Sequence, residues 1–320
     1  MATAWWLSLA LLLTSNDIES KVDQLRASSE SDVDDTEQSP LTNGRHYYAS
    51  NERDLHLFAE DVEDRGGLIV AVAADPGYTL AAWADADALV FVDLDPAIVD
   101  LHRIYAAFFR AADNSEDFRR LWHKKGVATA EELITNAAEE TGDAARLLAI
   151  YAEARPAIER RFADLTRRFA QRHVAWFLSD QALYDRVAKL ARTDRVLALR
   201  GDLTRSGQVR DLARRLDEAD LDISLLYLSN AEQYFMYKEA FRANMLALPL
   251  AENCQVLRTL PGRPAGFEYI VQDGADFQAR VGDPKVRSVY KIRGLKRGQH
   301  LKGRTHYTVP STLPPAPRLR

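Results

Sequence analysis

A chain of 320 residues with 47% hydrophobic residues can bury a full core, as one large domain or two small ones. A formal net charge of −5 offers no concentrated positive charge for a phosphate backbone, which argues against a nucleic-acid binder. The single cysteine, Cys254, excludes an intrachain disulfide and a thiolate metal cage, and the seven histidines are dispersed with no HExxH or CxxC.

Residues 4–13 (AWWLSLALLL) are too short to span a bilayer. No Lys or Arg precedes them, so the expected compartment is the cytoplasm, with export through a weak N-terminal signal as the alternative. A polar stretch rich in Ser, Asp and Glu follows, and residues 1–45 read as an apolar segment plus a linker of low order. Ser50 or Asn51 is a good N-cap, with Glu52 in the first turn beyond it; capping, or presentation of Asn51 and Glu52 to a ligand crevice, are both open.

The run at 68–74 (LIVAVAA) is too short for a helix and lacks the alternation of a half-exposed strand, which predicts a strand buried on both faces. Asp75-Pro76-Gly77 breaks it, and a second strand follows at 88–94, ending in Asp93-Leu94-Asp95-Pro96. An acid at the carboxyl end of the second strand is where nucleotide-binding α/β folds receive a ribose hydroxyl pair, and a carboxylate can accept both bonds. Capping of the next helix by an Asp-Pro signature is the plainer account of the same residues.

Residues 97–194 carry helical periodicity throughout. In 97–112 the apolar stripe leaves His102 and Arg103 to one side. Helices are also expected at 118–123, 129–140, 143–172 with Pro156 as a kink, and 173–192. Arg160, Arg161, Arg167, Arg168 and Arg172 interleave with Glu153, Glu159 and Asp164, and read as ion pairs on a solvated face. By position this module would cover the crevice as a lid.

Strands return at 196–200, closed by Gly201-Asp202, and at 223–228, running into Ser229-Asn230-Ala231-Glu232. The intervening helix at 208–219 gives a βαβ rhythm and so parallel pairing. A helix at 236–248 and strands at 254–260, 267–272 and 288–292 complete the domain. Residues 294–320 are basic and proline-rich and read as an extension.

The strand ends supply the candidate site. Asp75, Gly77, Asp93 and Asp202 are the candidate cofactor-binding residues, Asn51, Glu52, Tyr227 and Ser229 the substrate-binding ones, and Asn230 and Glu232 the catalytic pair, with Glu232 as general acid or base. The Ser50-Asn51-Glu52, Val92–Asp95, Gly201-Asp202 and YLSNAE (227–232) blocks, in that order, resemble a bacterial protein family of uncharacterised activity with SNE, VDIR, GD and YxSNxE pieces. Where that family usually shows a GxGP-like first turn, this chain has AADPG. The resemblance implies an α/β Rossmann-like fold of the class I methyltransferase type, with residues 46–96 and 195–293 as its two parts and 97–194 as a helical insertion after the second strand. It further implies S-adenosylmethionine as cofactor and a small or peptide acceptor as partner; a non-catalytic binding or scaffold protein is the rival.

Overall fold

Consecutive side chains of a strand point to opposite faces of its sheet. In β1 (Leu68–Val72) Ile69 and Ala71 enter one core while Leu68 and Val70 enter another. In β2 (Ala88–Asp93) Leu89 and Phe91 part from Val90 and Val92 in the same way. Both faces are covered, and that is why the strands read as unbroken apolar runs.

The computed structural model describes residues 18, 20–26, 45–139, 141–262, 266–293 and 306–313. The remaining strands are β3 (Val196–Arg200), β4 (Ile223–Tyr227), β5 (Leu250–Pro261), β6 (Phe267–Asp273) and β7 (His306–Thr308). They form one seven-stranded sheet in the order β3-β2-β1-β4-β5-β6-β7. β1 to β5 pair in parallel, β6 runs antiparallel to β5, and β7 is parallel to β6. The register sets Val72 beside Val92, Asp93 beside Arg200, and Tyr227 beside both Ala71 and Leu257, so the carboxyl ends of β1 to β4 lie along one edge.

Helices α1 (Pro76–Ala84) and α2 (Pro96–Ala111) cover one face. After β3 the chain recrosses to β4 through α7 (Gln208–Glu218), which joins α8 (Glu239–Ala247) and α9 (Gly274–Gly282) on the opposite face. Strand order therefore reverses between β1 and β4, the place where open α/β sheets leave a crevice.

Between β2 and β3 the regular elements are helical: α2, α3 (Ser115–Trp122), α4 (Val127–Ala137), α5 (Ala144–Arg172) and α6 (Gln181–Arg192). Side-chain caps set three starts, with Asp95 accepting from Ala97, Asn114 from Asp117 and Asp180 from Leu183. Tyr105, Phe108, Trp122, Tyr151 and Phe162 are buried in the same core as Ile69 and Phe91. These helices thus pack onto a sheet face rather than over its edge, which corrects the expected lid. His102 is also inside, stacked on Phe91 at 3.6 Å between ring centroids, with Nδ1 2.9 Å from the Tyr78 hydroxyl. Burial drives its pKa down to about 3, so it is a neutral core residue and not an exposed one.

Other differences have local causes. Residues 173–180 leave the helix after a left-handed His173 (φ 57°) and turn Trp176 and Phe177 into the core. α5 runs through Pro156 as a single 29-residue helix. The strand expected at 288–292 is a helical turn, Val289–Ile292, since its two buried residues are three apart. Residues 306–308, expected as extension, form the edge strand β7, where His306 Nε2 lies 2.7 Å from Asp61 Oδ2. The apolar run at 4–13 lies outside the described residues, among which no helix is long and apolar enough to cross a membrane.

Candidate functional site

The aligned strand ends enclose a cavity of about 240 Å³. Its wall takes Val72-Ala73-Ala74 from β1, Asp93-Leu94-Asp95 from β2, Gly201-Asp202 after β3 and Ser229-Asn230-Ala231 after β4. Ser50 and Asn51 close it from the segment before β1, and Tyr47, Tyr234 and Phe235 form its rim. From the helices between β2 and β3 only Ile98 of α2 reaches it.

Two of the wall residues are non-glycines in the left-handed region, Ala73 (φ 81°) and Ser229 (φ 50°). Each lies just past the end of a buried parallel strand, and both are strained positions held by their surroundings. Ala73 supplies without glycine the sharp first turn that nucleotide-binding folds usually make with it. Gly77 serves packing instead. It sits inside α1, where a Cβ would come 3.2 Å from Ala71 Cβ and 2.8 Å from Phe91 Cζ. The residue lets the helix approach the sheet and does not line the cavity, which corrects its expected ligand role.

Asp93 sits at the carboxyl end of β2 with its carboxylate on the wall, accepting from the Asp95 amide at 2.9 Å. Burial pushes its pKa up to about 7, against the pull of backbone amides at Asp95, Ala73 and Leu94. On the neighbouring strand end, Asp202 Oδ1 accepts from Thr204 N (2.8 Å) and Thr204 Oγ1 (2.7 Å), which fixes the turn after β3. Asp95 caps α2 and holds His46 Nδ1 at 2.7 Å. The side-chain amides of Asn51 and Asn230 make no hydrogen bond to a described residue, and both line the cavity.

Glu52, Asp75, Tyr227 and Glu232 stand behind the wall. The Glu52 carboxylate is fully buried and accepts from the hydroxyls of Ser50 (2.7 Å), Ser229 (3.1 Å), Tyr227 and Thr259. It braces the two cavity walls that carry Asn51 and Asn230, and its own lone pairs are taken. Burial, then the Glu52 charge, raises the Tyr227 phenol well above its usual range, so it stays a neutral donor. Asp75 accepts from Ser50 N at 2.8 Å and from Arg161 Nε at 2.8 Å. Arg161 Nη1 also donates to the Glu52 carbonyl at 2.7 Å. Only 6% of Arg161 is exposed. It is not one of a solvated row of arginines, but the ionic bolt between α5 and the first turn.

Glu232 is 1% exposed and points beneath the site. Its Oε1 accepts from the Tyr237 hydroxyl, and its Oε2 lies 3.0 Å from Arg258 Nε, a close ion pair whose angle falls short of a hydrogen bond. Arg258 in turn stacks over Phe277. Glu232 is therefore not placed to act as acid or base in the cavity. Among the described residues, no cluster of three or more His, Cys, Asp and Glu could hold a metal ion.

Of the ten residues expected at the site, Asn51, Asp93, Asp202, Ser229 and Asn230 share the cavity wall. The other five are internal, for the reasons above. Sequence reasoning passed over Ala73, whose only signal was the AADPG turn, and Tyr47. Tyr234 and Phe235 were legible as the aromatics that follow the YLSNAE block, and both reach the rim.

A mostly parallel sheet with its order reversing at a cavity, helices on both faces and polar turns at the strand ends defines a Rossmann-like α/β protein. The chain belongs to the DUF7790 family, a domain of unknown function, which matches residues 47–306. No curated protein matches it.

Proposed function

We propose that the cavity binds S-adenosylmethionine and that the protein is methyltransferase-like, acting on a small or peptide acceptor. The observation that carries this reading is the charge of the wall. Asp93, Asp95 and Asp202 line a space that no described Lys or Arg lines. A phosphate there would meet carboxylates and no lining cation, whereas a positively charged nucleoside gains from Asp95 and Asp202, and from Asp93 as it ionises through about pH 7.

Asp93 would accept from the ribose hydroxyls, the role suited to a carboxylate at the end of the second strand. Asp202 would lie towards the adenine, and Ala73, in place of Gly77, would bring backbone close to the methionine part. The unengaged amides of Asn51 and Asn230 would orient polar groups of the ligands. When bound, the sulfonium supplies an electrophilic methyl carbon. The chain contributes alignment and a partly dry wall, which is most of what such a transfer needs. The burial of Glu232 favours the second reading, a non-catalytic binding protein built on the same cavity.

Calorimetric titration with S-adenosylmethionine, S-adenosylhomocysteine and ATP tests the proposal. Binding of the first two that Asp93→Ala abolishes, with ATP silent, supports it. ATP binding more tightly than either, or no heat from a folded sample, refutes it.

A further inference from the structure

A second, open groove of about 570 Å³ shares Asp202, Thr204, Tyr234 and Phe235 with the cavity, so the two form one continuous trough. Charge reverses along it. The cavity wall has three carboxylates and no described cation, while the groove adds Arg205 and Lys238. Its one acid among the described residues, Asp202, is already engaged by Thr204, and Arg205 Nε lies 3.5 Å from it. The groove is also edged by large apolar side chains left in water: Tyr234 is 64% exposed, Met236 53% and Tyr290 47%. Open aromatic surface beside a concavity marks a contact site.

We infer that this groove is the acceptor subsite and that it takes a small aromatic carboxylate. The ring lies against Tyr234 and Tyr290, and the carboxylate meets Lys238 and Arg205. Complementary charge and the aromatic edge select such a ligand over a cationic or purely aliphatic one. A carboxylic acid, with a pKa of about 4, arrives already deprotonated at neutral pH. One of its oxygens attacks the methyl carbon of S-adenosylmethionine as the carbon–sulfur bond breaks, giving the methyl ester and neutral S-adenosylhomocysteine. No groove residue then has to take a proton, in keeping with the withdrawal of Glu232 beneath Arg258. The acceptor role rests on the proposed donor cavity; the binding chemistry of the groove does not.

Benzoate and its neutral counterpart benzamide are titrated calorimetrically into the full chain, with and without S-adenosylhomocysteine. Benzoate should bind and benzamide should bind much more weakly; Lys238→Ala should weaken benzoate about fivefold, the worth of one exposed ion pair. Equal binding of the two, indifference to Lys238→Ala, or silence towards benzoate from a folded sample overturns the inference. Lys238-dependent benzoate binding without any heat from S-adenosylhomocysteine upholds the groove and defeats the donor cavity. The converse pattern defeats the groove alone.

Discussion

Asp93→Asn replaces a carboxyl that burial has raised to about 7 with a group of the same shape that cannot ionise. The folded protein binds this proton more tightly than the unfolded chain does. The acid's contribution to stability is therefore fully present below the ordinary carboxyl range and is lost as pH rises from about 4 to about 7. Movement of the pKa from 3.8 to about 7 would correspond to about 4 kcal/mol for a wholly buried group. Asp93 is only partly buried, and solvent screening brings the expectation down to about 1–2 kcal/mol. Urea titrations of both proteins at pH 4.5 and pH 8 measure it. The Asn variant should gain on the native protein by about 1–2 kcal/mol between the two pH values. A stability difference that is the same at both would show that the carboxyl is not desolvated, and the reasoning would be refuted. Ligand affinity supplies a second readout. If ionised Asp93 accepts from a ribose, S-adenosylmethionine should bind more tightly as pH rises, levelling off above about 7, and the Asn variant should lack this rise.

Arg161→Ala strands Asp75 without its cation in a buried site, so an unfolding loss of about 3–5 kcal/mol is expected by urea titration. Arg161→Lys keeps the charge but cannot reach both Asp75 and the Glu52 carbonyl, and should fall between the two. Ala73→Gly relieves a left-handed alanine, and thermal melts should show it unchanged or stabilised by up to about 1 kcal/mol, whereas Ala73→Val should destabilise. Burial pushes the Cys254 thiol up to about 12, so the native protein should resist iodoacetamide at pH 8 and react only once denatured, as mass spectrometry would show.

The strands and their parallel pairing were legible because a strand buried on both faces has no polar residues to hide it, as in 68–72 and 223–227. Asp93, Asp202 and Asn230 were likewise visible, since each lies at or just beyond the end of an apolar strand. What the sequence concealed were partnerships over long separations. Nothing near Glu52 or Asp75 announces Tyr227, Thr259 or Arg161, and a lone carboxylate reads as available until its partners are in place. Arg161 looked like its neighbours because helical periodicity gives the face of a residue but not what lies opposite. Glu232 misled for a similar reason. The YLSNAE turn brings Asn230 to the cavity wall, but the 3₁₀ turn carries the carboxylate two residues later under the sheet edge towards Arg258.

The Glu52 brace has a consequence for the order in which the molecule matures. Its hydroxyl donors at Tyr227, Ser229 and Thr259 lie 175, 177 and 207 residues further along the chain. Contacts closed over such spans come late in folding. A nascent chain emerging from synthesis could collapse its aromatic helices early, yet it would gain a competent binding wall only after the fifth strand had been made.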